Sequence, residues 1–195
     1  MNRVPRRLSL MLGLCGTLCL AQDPGVWIDV PFFKQEKNGC GAASIAMVMQ
    51  YWQAAQTRSA QPASSAPTAT VQTATIDPET IQRELYSAKD HGVRASDMQR
   101  YFQDHGFRTF AFRGTWEDLK LHLEKGRPLI VALKPLPAES ALHYVVVVGL
   151  DWNQNVVIVN DAAQRKLLKE DRGAFEKEWS AVDRWTLLAV PRSQE

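Results

Sequence analysis

The sequence predicts an α+β domain, and two observations carry that prediction. Segments with helical apolar spacing gather in the first part of the chain, and runs with strand character follow them. No internal repeat or heptad pattern competes with that reading. A chain of 195 residues is long enough for one domain with a core of its own and too short to argue for two.

Met1 to Ala21 stands apart from the rest. It carries Arg3, Arg6 and Arg7 with no acid, then the apolar stretch Leu8 to Leu20, then Ala21 as a small residue before a cut. This is the layout of a secretory signal. The 13 residues from Leu8 to Leu20 are fewer than the roughly 20 needed to span a bilayer. The expectation is a signal peptide over 1–21 rather than a retained anchor, and an exported mature chain, periplasmic or extracellular, over 22–195. Removing Arg3, Arg6 and Arg7 takes the basic residues from 23 to 20 against 21 acidic ones, a net charge of −1. No basic patch points to nucleic acid or to an anionic membrane.

From Cys40 to Gln53 the apolar residues Ala42, Ile45, Ala46, Met49 and Trp52 keep helical spacing, and Ala43, Met47 and Val48 fill the opposite side. A helix apolar nearly all round belongs inside a domain. Asn38 and Gly39 can supply the turn and cap before it. Ala54 to Thr75 is rich in Ala, Gln, Ser and Thr, holds two prolines and one charge, and reads as a flexible insertion. Asp77-Pro78 then opens a helix to about Ser87. Ser96 opens another, which Gly106 closes. Phe107 to Phe112 alternates as a strand, Thr115 and Asp118 form a capping box, and that helix ends at Gly126. Pro128–Leu133 reads as a strand. His143–Asp151 and Val156–Asp161 read as two strands joined by a polar turn, the first buried on both faces. A helix near Phe175–Trp179 leads to a last strand, Trp185–Val190.

Cysteine arithmetic turns this frame toward chemistry. Cys15 and Cys19 leave with the signal, so Cys40 remains alone and no internal disulfide can form. In an oxidising compartment a lone thiol implies either intermolecular pairing or a thiol kept for reactivity. Cys40 sits at a helix N-terminus, where unpaired N–H groups and the macrodipole favour a thiolate. Gly39 and Gly41 on either side suggest an open approach for an extended substrate.

Four histidines are available as a base. His91 and His105 precede glycines at predicted helix ends, and His122 falls on a solvated helix face. His143 differs, because it opens the most apolar strand, and the following strand returns to Asn160 and Asp161 at the same end. Centring the turn on Asn153-Gln154 pairs Asp161 with about Val146. Alternation allows one of Asn160 and Asp161, not both, to face the imidazole. Gln35, five residues before Cys40, is the candidate side-chain donor to an oxyanion, beside the backbone N–H of Cys40. No metal-ligand spacing and no glycine-rich phosphate loop is present, so no cofactor is expected.

The stretch from Val30 to Trp52 resembles the opening of the bacteriocin-processing, double-glycine leader peptidases, cysteine-peptidase family 39, and above all their stand-alone exported relatives. The segments Gly92–Phe107, Arg127–Leu133, His143–Asp151 and Val157–Ala162 follow in the family's order. The resemblance implies a papain-like fold, with the nucleophile at a buried helix N-terminus packed on a mainly antiparallel sheet. It also implies a cysteine peptidase with Cys40 as nucleophile, His143 as general base, Asp161 as third member of the triad and Gln35 at the oxyanion. The family usually has proline after the aspartate, where this chain has Ala162. Transporter-linked members carry membrane and ATP-binding domains with no counterpart in this sequence. The expected partner is a peptide or protein substrate, with no nucleic acid, no membrane span in the mature chain and a monomeric state. An acyltransferase or amidase using the same thioester, and a non-catalytic peptide-binding domain of the same fold, remain as alternatives.

Overall fold

The computed structural model describes residues 24–60, 76–135 and 141–192. The expected signal, 1–21, and residues 61–75 of the expected insertion lie outside them. Among the described residues the elements are β1 (Gly25–Trp27), α1 (Cys40–Ala60), α2 (Pro78–Leu85), β2 (Tyr86–Ser87), β3 (Gly92–Val93), α3 (Ala95–Asp104), β4 (Phe107–Arg113), α4 (Trp116–Glu124), β5 (Leu129–Leu133), β6 (His143–Asp151), β7 (Val156–Asn160), β8 (Leu168–Asp171), α5 (Arg172–Ser180) and β9 (Trp185–Pro191). Seven strands form one antiparallel sheet in the order β4-β9-β5-β6-β7-β8, with β1 added on β6. β2 and β3 make a separate two-stranded ribbon. The α+β expectation holds.

The sheet separates two apolar clusters because its strands alternate. Val146 and Val148 of β6 pack with α1 on one face, whereas Val145 and Val147 pack with α4 and α5 on the other. Both sets are buried, as the unbroken valine run implies. α1 is the inner helix: Ala42 to Val48 is buried without a break, and Trp52 Nε1 donates to the Ala189 carbonyl at 2.9 Å. Local chemistry sets three of the other helix starts. Asp77 caps α2 with Pro78 at its first position, Thr115 and Asp118 form a reciprocal capping box on α4, and Asp171 caps α5.

Several expectations change. α1 runs on through Ala54–Ala60, so the start of the expected insertion is helical. Ala and Gln favour helix, and the Thr57 and Ser59 hydroxyls donate back to the Gln53 and Ala55 carbonyls. α2 stops at Leu85 rather than Ser87, because Tyr86 and Ser87 pair with Val93 and Gly92. His91 is not at a helix end; it lies in the turn of that ribbon with φ +53°. His122 is half-buried rather than on a solvated face: it packs on Phe112, and burial lowers its pKa.

Candidate active site

Three elements and one loop converge at the end of the sheet where β6 begins. Gly39 sets the start of α1: its carbonyl accepts from Ala43 N at 2.9 Å and its N–H donates to Glu36 O at 3.0 Å. Asn38 supplies the turn, with φ +60°, as Asn does more readily than most residues. This delivers Cys40, half-buried, as the first residue of a buried helix.

The two glycines do not open the backbone, as their position in the sequence suggests. A β-carbon on Gly41 would sit 2.8 Å from Cβ of Val93, and one on Gly39 would sit 2.6 Å from Oε1 of Gln82. Both positions are buried, and at Gly41 the near atom is fixed to the backbone of the ribbon, whereas at Gly39 it is the movable end of the Gln82 side chain.

His143 and Asp161 meet because of register. β7 pairs Asn160 with Val146, and a bulge between Val147 and Gly149 shifts the ladder by one residue from the simple hairpin count. Asp161 therefore follows directly on a residue three places from His143. By alternation His143 continues the face of Val145 and Val147, and Asp161 continues the face of Val157 and Val159. His143 Nε2 and Asp161 Oδ1 are 2.9 Å apart. The Cys40 side chain acts on the same imidazole: its hydrogen bonding and its negative charge both raise the His143 pKa.

Asp161 is held tightly. Oδ1 also accepts from Ala163 N at 2.8 Å, and Oδ2 accepts from Gln164 Nε2 at 2.7 Å. Asn160, the other candidate, points elsewhere: its Nδ2 donates to Val30 O at 3.1 Å and its Oδ1 accepts from Leu167 N at 3.0 Å. It ties the segment before α1 to the loop after Asp161. On that segment Gln35 N donates to Ala162 O at 3.0 Å, one residue past Asp161. One end of the Gln35 side-chain amide, Oε1, is buried without a hydrogen-bond partner.

The electrostatics favour a charged imidazole. Burial alone would lower the His143 pKa. The hydrogen bond to Asp161, the hydrogen bond to Cys40 and the negative charge of both partners outweigh it and raise it to about 10. Burial likewise pushes Asp161 up, but the bond and charge of His143, with the Ala163 and Gln164 donors, hold it below the ordinary carboxylate value. Tyr144, beside Cys40, is pushed up to about 12 by burial and by the negative charges of Cys40 and Asp90.

Cys40 opens onto a cleft of about 330 Å³ walled by Val93, Ala95, Leu142 and Tyr144, with Asp90 and Arg94 at its rim. Asp90 Oδ2 and Arg94 Nε are 2.5 Å apart. The sequence reading missed this wall. The ribbon strands are two residues long and show no periodicity, although Tyr144 was available as the neighbour of His143 on β6. Among the described residues no group of three or more His, Cys, Asp or Glu is arranged to hold a metal ion, and no helix is long and apolar enough to cross a membrane. A thiol, an imidazole and a carboxylate in series can generate a thiolate–imidazolium pair next to a peptide-sized cleft.

The fold has solved relatives. A C39-like peptidase from Bacillus anthracis superposes with a TM-score of 0.60 at 19% identity, over 88% of this chain and 100% of that one. The peptidase domain of Streptococcus ComA, a bifunctional ABC transporter of a quorum-sensing pathway, gives 0.61 at 18% identity, over 84% and 100%. A double glycine motif protease from an AMS/PCAT transporter, solved with a leader peptide, gives 0.56 at 20% identity, over 85% and 94%. Comparison with curated protein sequences gives no match. The family model described as Peptidase_C39 like family matches residues 27–186, and with that span covering nearly the whole described chain, the protein belongs to the Peptidase_C39 like family.

Proposed function

We propose that the protein is an exported cysteine peptidase that cuts peptide bonds through a Cys40–His143–Asp161 triad. The observation that carries the reading is the 2.9 Å contact of His143 with an Asp161 carboxylate oxygen, on an imidazole whose pKa the Cys40 side chain also raises. The raised His143 pKa keeps the imidazolium beside Cys40 at neutral pH, so the sulfur can react as thiolate.

The steps follow from that pairing. The thiolate attacks the carbonyl carbon of the scissile bond and forms a carbon–sulfur bond, moving the π electrons onto oxygen. The Cys40 backbone N–H and the Gln35 side-chain amide donate to that oxyanion. The imidazolium of His143 protonates the leaving amine as the carbon–nitrogen bond breaks. His143, now neutral, takes a proton from water, which attacks the thioester and releases the acid. Asp161 holds the ring in one orientation and stabilises its charged form. Family membership supports a peptidase, and the leader peptide bound by the double glycine motif protease supports a peptide substrate.

The test is a cleavage screen of a proteome-derived peptide library with the purified exported protein beside Cys40→Ala. New peptide termini that disappear in Cys40→Ala are expected. The same set of termini from both proteins would overturn the proposal.

A further inference from the structure

At the far end of β6, away from Cys40, lies a second cavity, of about 210 Å³, between the β6–β7 turn and the starts of α4 and α5. His143 and Asp151 are the two ends of a nine-residue strand, so the cavity stands about 26 Å from the imidazole. Its walls are apolar and aromatic: Leu150, Val156, Trp116 and Trp152. It is smaller than the roughly 300–1,000 Å³ of small-molecule sites, and about right for a single amino-acid side chain.

Two exposed cations lie over aromatic rings at its edge. The Arg172 guanidinium lies 4.4 Å from the centroid of Trp116, and Lys120 Nζ lies 5.2 Å from that of Trp152. Trp116 is itself anchored, edge to face with Trp179 at 5.7 Å. A stacked guanidinium keeps its N–H edge available for a carboxylate. Among the described residues Arg172 has no carboxylate partner, and Lys120 has only an exposed contact with Glu124 at 3.8 Å. Of the two acids at the cavity, Asp151 is occupied by the turn: it accepts from Gln154 N at 2.9 Å and from Gln154 Nε2 at 2.7 Å. Glu117 is exposed at the rim. The turn is tied to the start of α5, where Arg172 N donates to Asn155 O at 3.0 Å.

We propose that this cavity is a docking site for an acidic peptide segment, taking an apolar side chain between the tryptophans and its neighbouring carboxylate on Arg172 and Lys120. The role rests on the peptidase reading: the site would hold a protein substrate about eight extended residues from the reacting centre. The binding itself does not depend on catalysis.

The experiment uses the full chain as Cys40→Ala, with the fluorescence of its tryptophans as the readout. The probes are an acetylated hexapeptide with a central leucine–glutamate pair and the same peptide with glutamine for glutamate. Saturable binding of the glutamate peptide is expected, weaker by about tenfold for the glutamine peptide and for Arg172→Gln, since a charge-assisted hydrogen bond is lost. Lys120→Gln, on a different helix, is expected to weaken it in the same direction and guards against misfolding of one variant. Equal affinity for both peptides, no effect of either variant, or equal competition by inorganic phosphate or glucuronate would overturn the proposal. In the Cys40-containing protein, Arg172→Gln is expected to raise KM for long acidic substrates and leave kcat for short neutral peptides unchanged. Absence of cleavage altogether would count against the peptidase reading and leave the binding result standing.

Discussion

Replacing Asp161 by asparagine removes the charge next to His143 while keeping the shape of the site. The asparagine oxygen can stay where Oδ1 is and accept from both His143 and Ala163 N, as the carboxylate does at 2.9 and 2.8 Å. Its NH₂ then faces Gln164 Nε2, but Gln164 is exposed and its amide can turn to present oxygen. What is lost is the attraction between carboxylate and imidazolium. At about 4 Å and an effective dielectric near 20, two unit charges attract by roughly 4 kcal/mol, equivalent to about three pH units in the titration of the ring. His143, at about 10 in the native protein, is therefore expected to titrate close to neutrality in Asp161→Asn. The assay is a titration of the ring by nuclear magnetic resonance with labelled histidine. The same substitution is expected to change the pH dependence of stability. His143 is raised on folding, so the stability it contributes is fully present below about 6.5 and is lost as pH rises toward 10. Asp161→Asn should flatten much of that loss in urea unfolding. An unchanged His143 titration would refute the argument that the 2.9 Å contact governs the ring.

Two further predictions concern packing and burial. Gly41→Ala is expected to destabilise by about 1–3 kcal/mol in urea unfolding, because its β-carbon would lie 2.8 Å from Cβ of Val93, an atom fixed to backbone. The double variant Gly41→Ala, Val93→Gly, which removes that atom, should cost less than the sum of the two single variants. Glu170 on β8 is raised to about 7, first by burial and then by the negative charges of Asp161 and Glu178, against a smaller lowering by His143. A carboxyl raised on folding costs stability as pH climbs from about 4.5 to 7, so Glu170→Gln should lift the melting temperature at pH 8 and change it little at pH 4.

The sequence by itself determined the α+β class, the helix that begins at Cys40 and the strand that begins at His143. These are local matters: apolar periodicity, capping chemistry and an unbroken valine run state them within a few residues. Tertiary structure decided which side chains meet. The hairpin count set Asp161 opposite Val146, but one bulge gives that place to Asn160, and the pleat then turns Asp161 to His143 and Asn160 to Val30. A bulge depends on the strands around it, and no periodicity records it. The glycines around Cys40 show the same limit. Small residues beside a thiol suggest access, yet Val93 and Gln82 occupy the space, carried there by elements more than 40 residues away. The cleft wall likewise comes from a ribbon of two-residue strands, too short to leave a pattern. Local physics places Cys40 at a helix start and His143 at a strand start. Only the packing of α1 against the end of the sheet, with the register of β7, brings Cys40 to the imidazole that Asp161 holds.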